Sequence, residues 1–95
     1  MINRIVKMTF QKSKTEEFAN FVSQIHQEIA AFEGCHKVNI LRDISDECVF
    51  FSYSLWENEA CLEQYRHSEF FRKTWTKTKA LFSQKPEAWS TEVFL

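Results

Sequence analysis

Few side chains in this 95-residue sequence can do chemistry at neutral pH. His67 comes first, because an imidazole with an ordinary pKa near 6.5 suits a general base. Tyr65 and Tyr53 each bring a phenol that can donate to an oxyanion or position a substrate hydroxyl. Asn39 sits between the apolar Val38 and Ile40, where its amide could hold a substrate oxygen or pair across an interface. Arg4 and Lys7 could offset the charge of a phenolate, although snorkelling to solvent is the commoner fate of such chains. His26 borders the apolar stripe of a helix, and His36 starts a strand where solvent is its expected surrounding.

Each of these residues also has a purely structural role open to it. Arg66 and His67 lie where a helix ends, and the helix dipole favours cations there. Tyr65 faces the sheet from a helix, where pocket and core are equally open to it, while Tyr53 shares a strand face with Phe51 and Leu55. The three cysteines, Cys35, Cys48 and Cys61, are odd in number, widely spaced and without a CxxC pair. They read as free thiols in a reducing cytosol, with Cys48 and Cys61 serving as small apolar residues. Cys35 and His36 adjoin each other with no second pair at finger-like spacing, so no metal site is expected.

Composition narrows the classes further. Ten Phe, three Trp and two Tyr stand against one Gly and one Pro, which leaves little for linkers or phosphate-cradling loops. A net charge of −1 gives no footprint for nucleic acid or an anionic membrane. Arg4 and Lys7 interrupt the apolar stretch that a signal peptide needs, and no apolar run is long enough to span a bilayer. The expectation is a cytoplasmic, single-domain protein over residues 1–95.

The elements that must position these residues can be read from periodicity. Asn3 to Phe10 alternates as a strand. Ser13-Lys14-Thr15-Glu16 has the form of a capping box, and Phe18, Phe21, Val22, Ile25, Ile29 and Phe32 recur at helical spacing up to the stop at Gly34. Strands follow at His36–Arg42 and Glu47–Trp56, joined by a turn over Asp43–Asp46. Asn58 is a candidate N-cap for a second helix, Arg66-His67-Ser68 breaks it, and Ser68-Glu69 restarts a helix. That last helix carries Phe71, Trp75, Thr78 and Phe82 on one face and ends before Pro86, and Ala88–Leu95 is β-prone again.

The order β-α-β-β-α-β with right-handed crossovers predicts an α+β, ferredoxin-like fold with a four-stranded antiparallel sheet. Helices cover one sheet face only. The strand from Cys48 to Trp56 is apolar on both faces, with Val49, Phe51, Tyr53 and Leu55 on one and Phe50 and Trp56 on the other. A second copy is the simplest cover for the remaining face, so a homodimer through the sheets is expected, with Phe50, Phe10 and Trp89 assigned to that contact.

Phe32-Glu33-Gly34-Cys35, the strand Phe50-Phe51-Ser52-Tyr53-Ser54-Leu55-Trp56-Glu57, and Tyr65-Arg66-His67-Ser68-Glu69-Phe70-Phe71 stand in an order and spacing that carry a resemblance. The chain resembles the antibiotic biosynthesis monooxygenase (ABM) superfamily of dimeric α/β barrels over nearly its whole length. The resemblance implies a homodimer, in some members with exchange of the last strand, here Trp89 to Leu95. It also implies oxygenation without metal, flavin or other cofactor. A small aromatic substrate, a quinol, phenol or anthrone, sits between sheet and helices, loses a proton and reacts with O₂. On that reading His67 and Tyr65 are the catalytic candidates, and Asn39, Trp75, Phe71 and Tyr53 the substrate-binding ones.

Haem-degrading members resemble the chain as well, but use an Asn in strand one, a Trp in the second helix and a haem-ligating His in the third. Those positions fall here on Val6 (or Ile5), Tyr65 and Trp75, so haem degradation is disfavoured. Two other classes remain on the same fold: a non-catalytic dimer that binds an aromatic or acyl ligand, and an isomerase or mutarotase.

Overall fold

The computed structural model describes all 95 residues. Strand β1 (Ile2–Thr9) leads through a 3₁₀ turn at Lys12–Lys14 into helix α1 (Thr15–Ala30). Strands β2 (Cys35–Arg42) and β3 (Val49–Trp56) follow, then helices α2 (Glu59–Arg66) and α3 (Glu69–Lys79), and strand β4 (Glu87–Thr91). The sheet order is β2-β3-β1-β4 with every neighbouring pair antiparallel, which is the expected ferredoxin-like arrangement. No helix is long and apolar enough to cross a membrane.

Helix ends follow the local chemistry in most places. The Asn58 side chain accepts a hydrogen bond from the Cys61 N–H, and Ser68 Oγ accepts from the Phe71 N–H, so both act as N-caps. α1 ends at Ala30, before the expected stop: Gly34, at φ +82° in the left-handed region, instead makes the Phe32–Cys35 turn that leads into β2. The capping box at Ser13 does not form. The Gln11 N–H is held by the Leu81 carbonyl at 3.0 Å, the chain tightens into the 3₁₀ turn, and α1 begins at Thr15 with no side-chain cap. α3 likewise ends at Lys79, earlier than the apolar spacing implied. Phe82 leaves the helix to make a bridge with Phe10, because Ser83 N–H donates to the Thr9 carbonyl and draws this stretch against β1.

Register fixes which face each strand residue takes. Arg4, Ser54 and Val38 align across the sheet, as do Val6, Ser52 and Ile40, and these face the helices. Asn3, Leu55 and Lys37 align on the opposite, helix-free face, followed by Ile5, Tyr53 and Asn39. Phe10 and Phe50 are 1% and 6% exposed and pack with Met8, Phe18 and Leu81 in the core. The expectation that Phe50 and Phe10 meet a second copy is therefore corrected: both lie under α1. Trp89 pairs with Ile5 on the helix-free side and stays exposed.

Candidate functional site

A cavity of about 280 Å³ lies between the sheet and the three helices. Its volume is near the lower end of the range, about 300–1,000 Å³, that holds small-molecule ligands. Most of its wall is aliphatic or aromatic, contributed by α1 and by the helix-facing residues of the sheet. α2 and α3 supply the rings. Tyr65 stacks on Trp56 with centroids 5.0 Å apart, meets Phe71 edge-on at 5.1 Å, and Phe71 stacks on Trp75 at 5.9 Å. These placements follow from the caps, since Ser68 restarts the chain as α3 and sets Phe71 and Trp75 one helical turn apart on the inner face.

Polar groups on the wall divide into satisfied and unsatisfied ones. Thr74 and Thr78 hydroxyls donate to the Phe71 and Thr74 carbonyls of their own helix, and Ser54 accepts from the Trp56 indole N–H at 2.9 Å. Tyr65 and Ser52 also line the cavity, and neither makes a side-chain hydrogen bond to the protein. Burial, with a smaller push from Cys35, holds the Tyr65 phenol well above its usual pKa. Tyr65 therefore stays protonated at physiological pH.

Two cations reach the cavity, Arg4 from β1 and Arg66 from the end of α2. Arg4 donates to Ser90 Oγ on the neighbouring strand at 3.0 Å, whereas Arg66 is paired with Glu63 at 2.7 Å. Burial first, then repulsion from Arg66, lowers the Arg4 pKa, and Glu63 partly offsets this. The hydrogen bond from Arg66 is the main cause that holds the Glu63 carboxyl below its usual range. In the sequence Arg4 is one of two cations on the first strand. The signal that separates it from Lys7 is parity, because Arg4 shares a face with Val6 and Met8 while Lys7 shares one with Phe51 and Leu41.

The predicted site residues split between three surroundings. Tyr65, Phe71 and Trp75 converge on the cavity. Asn39 and Tyr53 do not, since the pleat turns both to the helix-free face, where Tyr53 donates to Asn3 Oδ1 at 2.8 Å. His67 does not reach it either. Its ring is 79% exposed beyond the end of α2 and meets only Glu63, at 3.2 Å. His26 Nε2 donates to the Val38 carbonyl at 2.8 Å, and His36 pairs with Glu57 in solvent. The cysteines are free and half-buried, outside the cavity wall, and no group of His, Cys, Asp and Glu is placed to hold a metal ion.

The family model for antibiotic biosynthesis monooxygenase (ABM) matches residues 1–77. The chain belongs to the ABM family. Solved structures agree with this ABM protein in fold. A protein described as an antibiotic biosynthesis monooxygenase superposes with a TM-score of 0.93 at 14% identity, over 100% of both chains. A conserved protein from Methanosarcina mazei Go1 gives 0.91 at 19% identity, covering 96% of this chain and 90% of its own. SnoaB, a cofactor-independent oxygenase from Streptomyces nogalater, gives 0.87 at 14% identity, covering 99% and 93%. No protein of curated function matches the sequence significantly. At these identities the likeness is one of fold, and the family assignment rests on the sequence match.

Proposed function

We propose that this ABM-family protein is a cofactor-independent monooxygenase that holds a small quinol-, phenol- or anthrone-like substrate in the cavity between sheet and helices. The observation that carries this reading is Tyr65, its phenol protonated and without a protein hydrogen-bond partner, on a wall shared with Phe71 and Trp75. The rings stack against the substrate, and the phenol donates to the oxygen on which charge develops. For an anthrone-like CH₂, one oxygen atom of O₂ forms the C=O and the other leaves as water with the two hydrogens. The substrate supplies all four electrons. A second copy covers the helix-free face, and the exposure of the apolar Val93, Phe94 and Leu95 after β4 supports an arm that packs on it.

An oxygen electrode with a panel of quinols and anthrones tests the reading. Uptake of one O₂ per ketone formed, reduced in Tyr65→Phe, supports it; a flat trace across the panel sinks it. A non-catalytic carrier of an aromatic ligand is the second reading, and it draws on the absence of any His, Asp, Glu or Lys from the cavity wall. Tight binding of a quinol with no oxygen consumed would favour the carrier.

A further inference from the structure

The cavity wall carries charge of one sign only. Arg4 and Arg66 are its sole groups charged at neutral pH, and no carboxylate lines it. Glu63 neutralises Arg66 from beyond the wall, while the only hydrogen-bond partner of Arg4 is the neutral Ser90 hydroxyl. The part-buried Arg4 guanidinium hydrogen-bonds only a neutral hydroxyl, and Glu63, committed to Arg66, offsets its lost solvation only in part. Its lowered pKa has the same origin, with burial ahead of the repulsion from Arg66. A guanidinium nevertheless remains charged at neutral pH, and its planar fork matches a carboxylate or phenolate oxygen.

We infer that the ligand of this cavity is an aromatic anion, whose ionised oxygen group is held by Arg4 and Arg66 at the end nearest α2 and β4 while its ring lies against Phe71 and Trp75. The inference rests on the cavity being the substrate site and goes further by fixing the substrate's charge. It also replaces the general base that the sequence suggested in His67. With Tyr65 protonated and no other acceptor on the wall, the ligand enters already ionised, or ionises because two guanidiniums favour its anion. The strand pairing of Arg4 with Ser90 holds the guanidinium in place for this, so Ser90 acts as a positioning residue.

Calorimetry with 2-naphthoate and its neutral isostere 2-naphthamide, at neutral pH and low salt, tests the assignment on the wild-type protein. Naphthoate is expected to bind about tenfold tighter or more, as charge-assisted hydrogen bonds imply. The preference should shrink in Arg4→Met and weaken as salt is added. A nitrophenol titrated by its absorbance should show an ionisation midpoint about one pH unit lower when bound than when free. Equal affinity for the two naphthalenes, a preference that survives in both Arg4→Met and Arg66→Met, or an unshifted nitrophenol would overturn the assignment. These readouts do not depend on oxygen. A protein that prefers naphthoate yet oxidises nothing loses only the monooxygenase reading, and one that oxidises quinols without that preference loses only the anion.

Discussion

Trp56 and Tyr65 stack at an interplanar angle of 26°, with Trp56 wholly buried beneath and its indole N–H tied to Ser54. The strand's last residue is thus the floor on which the candidate donor rests. Removing that floor by Trp56→Ala should cost about 3–5 kcal/mol, as for other buried Trp truncations, and chemical denaturation measures it. A loss below about 1 kcal/mol would mean that the buried indole contributes little to the packing around it.

Tyr65→Phe keeps the ring and removes only a hydroxyl with no protein partner, so stability should hardly change. Activity should fall about a hundredfold, the typical loss of one oxyanion donor. Because burial raises the Tyr65 pKa, stability is retained below the ordinary tyrosine value of about 10 and declines as pH rises past it. No activity limb from Tyr65 should appear near neutral pH. A pH–rate profile with such a limb, abolished in Tyr65→Phe, would contradict the neutral-donor role.

His67→Ala should leave turnover within about twofold of wild type at every pH, since exposed pairs of this kind contribute little. The histidine meets Glu63 in solvent and nothing on the cavity wall. Steady-state rates across the pH range decide the point, and a selective loss at neutral and higher pH, where an imidazole is free to take a proton, would restore His67 as a base.

Gly34→Ala should destabilise the fold by roughly 1–3 kcal/mol, through the positive φ and through overpacking. An added Cβ would come within 2.5 Å of both Cβ and Sγ of Cys61, joining the loop after α1 to α2. Thermal melts of the two proteins measure the difference; an unchanged midpoint would show that the loop can shift freely.

Leu55→Glu should turn the proposed dimer into a monomer while leaving the cavity intact, because Leu55 points to the helix-free face between Asn3 and Lys37. Trimming Glu92–Leu95 tests strand exchange separately, since β4 and Ser90 stay in place. Light scattering that reports the same mass for wild type and Leu55→Glu would argue against a sheet-to-sheet contact. A trimmed protein that remains dimeric would argue against the exchanged arm.

Elements and most caps were legible because they depend on neighbours in the chain. Period-two alternation marked β1, the apolar stripe marked α1, and Asn58 and Ser68 started α2 and α3 as their side-chain chemistry requires, while Gly34 marked the turn into β2. The capping box at Ser13 failed because its competitor was remote: the Leu81 carbonyl claims the Gln11 N–H across 70 residues of chain. Phe71, Trp75 and Tyr65 could be placed near a pocket because the helical stripe that bears them has one inner face.

The sequence by itself determined the order of strands and helices, the ABM match and the ring-bearing helix face, all of which local periodicity and spacing encode. Only the tertiary structure decided which face of each strand looks at the helices. β3 is apolar on both sides, so alternation alone could not tell Phe50 from Phe51, and the same ambiguity left Asn39 and Tyr53 open between the cavity and an interface. Packing resolves it by seating Phe50, Ser54 and Trp56 beneath the helices. That one choice of parity sends Arg4 into the cavity, while the His67 ring stays in solvent beyond the end of α2.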